Sequence, residues 1–236
     1  MTLANTHVLI VGGARGIGRA TVAAALAAGA RVTATGRGAE SLRALCEGAT
    51  GAMLDFTDAA SVAALADNVT ALDHLVLTAS SAVAWGGFPE VGEEALRAAF
   101  EAKFWGYWRV IRALAPKLAA TGSITLVTGA AARAALPGTS GLAAVNGALE
   151  AMAKVLAAEL APRRVNTVSP GMTATEAYAG MPEEVRAGMF AGTAAKLPAG
   201  RIGAPEDIAQ VILMAAANPF VTGATFDVDG GAHLAR

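Results

Sequence analysis

Short apolar runs alternate with longer stretches in which apolar side chains return every three or four residues, and the alternation repeats along most of the chain. The short runs predict strands buried on both faces, and the longer ones predict helices that cover them. Strands are expected near His7–Val11, Arg31–Thr35, Ala52–Leu54, His74–Thr78, Ser123–Thr128, Arg164–Val168 and Thr225–Val228. Helices are expected near Gly16–Ala28, Glu40–Glu47, Ala59–Asn68, Glu93–Ala120, Ser140–Leu160 and Pro205–Ala216. Pro116 should bend or shorten the fourth of these, because it lacks an N–H and crowds the preceding turn. The strand–helix–strand order predicts an α/β protein with a seven-stranded parallel sheet between two helical layers. Between Pro170 and Gly203 the periodicity weakens and Gly and Pro accumulate. That stretch reads as a long loop with a short helix around Pro182–Phe190, and a connection of this kind commonly closes over a site.

Bulk properties narrow the partners. A chain of 236 residues, 54% of them hydrophobic, can bury one sizeable core, so residues 1–236 are read as a single domain. The net charge is −1 and the basic residues are scattered, which argues against nucleic acid or an anionic membrane as partner. The alanine-rich runs are short or interrupted by Arg, whereas a bilayer span needs about 20 apolar residues. Cys46 stands alone, so no internal disulfide forms; with no signal peptide recognised, a reducing cytoplasm is the expected compartment. Cys46 is expected on a surface-facing helix with nothing electropositive to activate it. The three histidines lie far apart and show no metal-ligand spacing, so no metal is expected.

Candidate chemistry begins after the first strand, at Val11-Gly12-Gly13-Ala14-Arg15-Gly16-Ile17-Gly18. Glycines at a strand-to-helix turn let the backbone approach a phosphate, and the helix N-terminus offers unpaired N–H donors and partial positive charge. This context predicts a dinucleotide site on a three-layer, doubly wound Rossmann fold. The second expected strand ends Thr35-Gly36-Arg37, where an NAD enzyme would place a carboxylate on the adenosine ribose. Gly36 leaves room instead, and Arg37 and Arg15 can flank a 2′-phosphate, which favours NADP(H).

The Gly-x-x-x-Gly-x-Gly spacing, Asp55-Phe56-Thr57-Asp58, Asp73-His74-Leu75-Val76, Arg164-Val165-Asn166, Ser169-Pro170-Gly171, Gly200–Asp207 and Asp227-Val228-Asp229-Gly230-Gly231 together resemble the short-chain dehydrogenase/reductase family over nearly the whole length. The resemblance implies that Asp55 and Phe56 hold the adenine. It also implies that Thr78, Ala79 and Ser80 line the cofactor, and that Pro170, Gly171, Met172, Thr173 and Thr175 grip the nicotinamide end. In that family a Tyr gives the proton, a Lys on the same helix face lowers its pKa and holds the ribose, and a Ser polarises the carbonyl. An Asn on the preceding helix anchors a water beside that Lys. On this chain the Tyr falls on Leu142, the Lys on Asn146, the Ser on Gly129 and the Asn on Lys103. Every position of the tetrad is substituted, as in a divergent branch that lacks Tyr-x-x-x-Lys.

The exchange at 103 and 146 is reciprocal, so an ammonium and a carboxamide could persist beside the nicotinamide ribose, each from the opposite helix. A partly desolvated Lys103 would have a lowered pKa and could pass a proton itself. The bland alternative makes Lys103 an exposed helix residue and Asn146 a core amide. Tyr178 in the lid and Thr128 beside the lost Ser are further candidates, against readings as a packed ring and a strand-end cap. Ser80 and Ser81 sit where doubly wound sheets bind ligands. Phe104, Trp105, Tyr107 and Trp108 read as core or helix–helix interface. The expected activity is NADPH-dependent reduction of a small carbonyl or imine compound by a non-standard donor. A redox-silent isomerase or lyase, and a non-catalytic NADP(H)-binding protein, stand as alternatives. By resemblance the chain forms a homotetramer or homodimer through its two long helices.

Overall fold

The computed structural model describes residues 2–79 and 83–234. Seven strands form one sheet: β1 His7–Val11, β2 Arg31–Gly36, β3 Thr50–Met53, β4 Leu72–Leu77, β5 Leu118–Val127, β6 Arg164–Pro170 and β7 Thr225–Val228. Their order is β3-β2-β1-β4-β5-β6-β7, and every pair is parallel. Parallel neighbours need crossover helices, and these are α1 Gly16–Ala27, α2 Ala39–Arg43, α3 Ala59–Asn68, α4 Glu93–Ala99, α5 Gly106–Leu114, α6 Ser140–Glu159, α7 Glu183–Ala194 and α8 Pro205–Ala217.

The continuous apolar strands divide their side chains between two cores, because successive residues point to opposite faces. Leu9, Val11, Leu75, Leu77, Ile124 and Leu126 meet α3, α5 and α6 on one face. Val8, Ile10, Val32, Ala34, Val76 and Val168 meet α1 and α8 on the other. Strand order reverses between β1 and β4, which opens a crevice at their carboxyl ends, the usual ligand position in such sheets. The glycine turn after β1 and Thr78 after β4 border that crevice.

Several expectations are corrected. The fourth helix is not continuous: α4 passes through a π-helical turn at Phe100–Trp105 into α5, which gives way to a 3₁₀ turn at Ala115–Lys117. Pro116 ends it by lacking the N–H that would continue the α-helical bonding, while Ala115 itself keeps helical angles (φ −55°, ψ −37°) as the start of the 3₁₀ turn. Helix α2 stops at Arg43, so Cys46 lies beyond it on a turn, half-buried, with its Sγ 3.8 Å from the Arg19 carbonyl. Strand β3 starts two residues before its expected position because it pairs in register with Thr33–Gly36 of β2. Helix α7 runs one turn beyond Phe190.

At 20 residues and a mean hydropathy of 1.3, α6 is long and apolar enough to cross a bilayer by composition, contrary to the expectation that no run suffices. Its buried face nonetheless includes Asn146, which bonds inside the fold.

His74 in β4 is buried, with its Nδ1 2.9 Å from Ser123 Oγ on β5. Burial lowers its pKa from 6.5 to about 4, with Arg164 adding repulsion and Asp73 opposing. The folded state therefore binds fewer protons than the unfolded state between pH 6.5 and 4, so stability is lost as pH falls through that window. The two and a half pH units correspond to about 3 kcal/mol. Urea unfolding at pH 7 and pH 4.5 should show wild type losing about 2–3 kcal/mol more than His74→Gln; equal losses would refute it.

Candidate active site

Two left-handed glycines and two close approaches build the glycine turn. Gly12 (φ +87°) and Gly16 (φ +49°) occupy left-handed conformations. A Cβ on Gly18 would fall 2.0 Å from the Gly12 carbonyl oxygen and 2.6 Å from Thr78 Oγ1. A Cβ on Gly13 would fall 2.7 Å from the Ala34 Cβ. Thr78 Oγ1 donates to the Val11 carbonyl at 2.8 Å, tying β4 to the turn. Ala79 N lies 3.2 Å from a Cβ placed on Gly12, and Ser80 and Ser81 lie outside the described residues. Ala14 and Ile17 are half-buried and Arg15, which immediately precedes α1, is exposed. Helix α1 has no acidic residue in its first turn and no side-chain cap, so its N-terminus keeps the partial positive charge that a diphosphate requires. Among the described residues a carboxylate from the lid reaches it: Glu176 Oε2 accepts the Gly16 N–H at 2.8 Å.

At the end of β2, a Cβ on Gly36 would stand 2.5 Å from Ser41 Oγ. The room expected at Gly36 is thus taken by the hydroxyl of Ser41, a residue that sequence reasoning passed over; it also accepts Gly38 N–H at 3.2 Å. Arg37 is exposed and acts electrostatically on Asp55. Asp55 Oδ1 accepts the Thr57 N–H at 3.0 Å and its hydroxyl at 2.6 Å, which holds the carboxyl below the usual carboxylate range. Phe56 packs on Gly106, where a Cβ would fall 2.1 Å from Phe56 Cδ2.

The π-helical turn carries Lys103, which is 7% exposed. Such a turn fits one extra residue into a helix and often marks a site. Lys103 Nζ donates to Asn146 Oδ1 at 2.7 Å and to the Thr128 carbonyl at 3.0 Å. Burial lowers its pKa from 10.5 to about 8, and Glu150 acts in opposition. Two of the three ammonium donors have partners among the described residues. Thr128 Oγ1 donates to Glu150 Oε1 at 3.0 Å, with the Val168 carbonyl as a second acceptor in reach at 3.3 Å, so its hydroxyl is engaged away from Lys103. A Cβ on Gly129 would stand 3.0 Å from Asn146 Nδ2. Leu142, one turn before Asn146 on α6, brings no polar group. Tyr107 is fully buried and its hydroxyl donates to carbonyls that include Leu77 at 2.9 Å and Ala79 at 2.7 Å.

The lid is pinned at its base. Gly203 N–H donates to the Met172 carbonyl at 2.9 Å, Ala174 N–H to the Gly203 carbonyl at 2.9 Å, and Thr173 pairs with Gly203. Gly171 N–H donates to the Val228 carbonyl at 3.0 Å, and Thr173 Oγ1 donates to the Gly171 carbonyl at 3.0 Å. Pro170 ends β6 and is buried. The Thr175 methyl would touch a Cβ on Gly16 at 3.1 Å. Tyr178 packs edge-on against Phe190 within the lid, centroids 5.3 Å apart, and burial pushes its phenol up. Lys103, Asn146 and Thr128 thus converge, while Tyr178 belongs to the packing of the lid.

Asp227, Asp229 and His233 bring possible metal-ligand atoms within 4.8 Å of one another, which histidine spacing did not reveal. These groups are already paired: Asp229 Oδ2 with His233 Nδ1 at 2.8 Å, and Asp227 with Arg133 at 2.8 Å.

The arrangement is an α/β fold of dinucleotide-binding type, with a polar cluster of Lys103, Thr128 and Asn146 at the carboxyl end of β5. The family model described as enoyl-(acyl carrier protein) reductase matches residues 12–233. L-xylulose reductase of Mus musculus is 31% identical over 242 residues, covering 97% of each chain. D-erythrulose reductase of Gallus gallus is 31% identical over 233 residues, covering 94% of each. A crystal structure of a small-chain dehydrogenase in complex with NADPH superposes with a TM-score of 0.86 at 37% identity, over 97% of this chain and 99% of that one. The chain belongs to the short-chain dehydrogenase/reductase family and is an oxidoreductase of that type.

Proposed function

We propose that the protein is an NADPH-dependent reductase of small carbonyl compounds in which Lys103, rather than a tyrosine, delivers the proton. The observation that carries this reading is the buried Lys103 ammonium, held by Asn146 and Thr128 and using two of its three donors among the described residues. The cradle suits a dinucleotide, because Gly12 and Gly16 take left-handed angles and a Cβ on Gly18 would clash with the Gly12 carbonyl, so the tight turn before α1 needs these glycines. NADPH supplies the hydride when bound. Gly12 to Gly18 and α1 would seat the diphosphate, Arg15 and Arg37 the 2′-phosphate, and Asp55 with Phe56 the adenine. Thr173 and Thr175 would meet the nicotinamide end. Hydride addition to a carbonyl carbon leaves an alkoxide, and the Lys103 ammonium would give it a proton and recover one from solvent. The names of the two reductase relatives suggest small polyhydroxy ketones as the first substrates to try. Rapid mixing of enzyme and NADPH with panels of ketoses, simple ketones, aldehydes and imines tests the reading. Turnover with NADPH is expected on at least one carbonyl class. No oxidation by any panel, with tight NADPH binding by calorimetry, would instead favour a non-catalytic cofactor-binding protein, the reading to which Leu142 and Gly129 lend support by bringing no hydroxyl.

The protein should also self-associate through α5 and α6. A groove of about 440 Å³ runs between them, lined by Trp108, Ile111, Met152, Leu156 and Leu160 among others. Trp105, Trp108 and Val155 are 45%, 39% and 55% exposed, more apolar surface than one helix pair usually leaves to water. Light scattering at micromolar concentration should give a dimer or tetramer, and Leu156→Glu should lower the mass. A wild-type monomer would contradict the proposal.

A further inference from the structure

Four charged groups of alternating sign link α5's approach to the last strand, and the innermost is Lys103. Glu150 follows Asn146 by one turn on α6, so both project from one helix face. Thr128 joins the two sides: its carbonyl accepts from Lys103 Nζ at 3.0 Å, and its hydroxyl donates to Glu150 Oε1 at 3.0 Å. Beyond Glu150 stands Arg133, 3.8 Å from Oε2, and beyond Arg133 stands Asp227, 2.8 Å away. Lysine is rarely buried without a counter-charge, because the unpaired ion loses its hydration. The direct partners of Lys103, a carboxamide oxygen and a carbonyl, are neutral.

We propose that Glu150 is the counter-charge that keeps Lys103 protonated, a positioning residue that acts across Thr128 without touching substrate or cofactor. The inference rests on the Lys103 reading above for its catalytic consequence, but not for its electrostatics. Other groups around Lys103 do not supply the charge. Tyr107 on α5 is buried and its phenol is pushed up, which keeps it neutral. Glu101 on the same turn is paired with Arg109 at 2.6 Å. On α4, Glu93 is paired with Arg97 at the surface. Asp227 on β7 is paired with Arg133 at 2.8 Å. Glu150 in turn is pushed up by burial and drawn back by the Thr128 hydroxyl and Arg133.

The chain has four lysines, Lys103, Lys117, Lys154 and Lys196, so carbon-13 NMR of ε-labelled lysine resolves one titration per residue. Loss of a signal in Lys103→Met assigns Lys103. In wild type its midpoint is expected near 8. Glu150→Gln retains an acceptor for Thr128 and should move the midpoint down by about one pH unit or more, the effect of removing a nearby opposite charge. An unchanged midpoint in a folded Glu150→Gln protein overturns the proposal. If that variant does not fold, Thr128→Val releases Glu150 instead. A downward shift there supports the proposal, and no shift overturns it. The pH profile of kcat/KM separates the two readings. A shifted NMR midpoint with an unshifted alkaline limb retains the counter-charge and removes Lys103 from the reaction. Parallel movement supports both.

Discussion

Lys103→Ala is expected to lower kcat by about 100-fold, the contribution of a well-placed general acid, and to weaken NADPH binding as well. The argument starts from donors. Among the described residues Lys103 commits two N–H groups, to Asn146 and Thr128, which leaves its third for a ribose hydroxyl or a carbonyl oxygen in this reading. A group that acts on the alkoxide alone lowers kcat and kcat/KM together, whereas one that only binds ribose raises KM and Kd without changing kcat. Truncation also orphans two buried acceptors, which costs about 1–3 kcal/mol each, so thermal unfolding must accompany the kinetics. Lys103→Met keeps the stem and controls for packing; it should be as slow as Lys103→Ala but more stable. In wild type the rate should fall as pH rises through about 8, where the ammonium loses its proton. Tyr178→Phe should cost much less, because that ring is spent on Phe190. Restoring the family's residues with Leu142→Tyr and Asn146→Lys should not rescue activity. It would set a second ammonium where Asn146 Oδ1 now lies 2.7 Å from Lys103 Nζ, and Gly129 would still lack a hydroxyl. Full turnover by Lys103→Ala would end the proposal.

The sheet was legible because its strands are apolar on both faces and bounded by turns, a signal that needs no long-range information. Strand β1 matches its expected bounds for that reason, whereas β7, a half-buried edge strand, matches although it alternates Thr225 and Asp227 with Phe226 and Val228. The π-helical turn was not legible. It depends on Lys103 turning inward while Gly106 accepts Phe56 at close range, and helical periodicity alone cannot register one extra residue. The pairing of positions 103 and 146 came from threading the family's motifs, and the structure adds what threading could not: the neighbouring Glu150, visible in sequence only as the residue one turn beyond Asn146. Ser41 was missed because its hydroxyl reaches back five residues to fill the place of a side chain at Gly36. Glu176 was missed because the contact with Gly16 spans 160 residues, and no local pattern reports it.

Arg37→Ala should weaken NADPH about tenfold and leave NADH unchanged, and Arg15→Ala with Arg37→Ala should approach 100-fold, the size of two charge-assisted contacts at the low end of their range. Both guanidiniums are exposed, so screening sets that low end, and the preference for NADPH should shrink markedly between about 20 mM and 0.5 M salt as the Debye length contracts. NADH, which lacks the 2′-phosphate, is the internal control: damage to the glycine turn would weaken both cofactors equally. Placing an acid at position 36 should reverse the preference, but a Cβ there would stand 2.5 Å from Ser41 Oγ. Gly36→Asp therefore needs Ser41→Gly beside it to make room. In that pair the carboxylate repels a 2′-phosphate and accepts from a ribose diol, so NADPH should weaken while NADH holds or improves. Calorimetry on the four proteins with each cofactor checks the whole series. Equal wild-type affinity for NADPH and NADH, or an Arg37→Ala protein that binds NADPH like wild type, would show that the phosphate lies elsewhere.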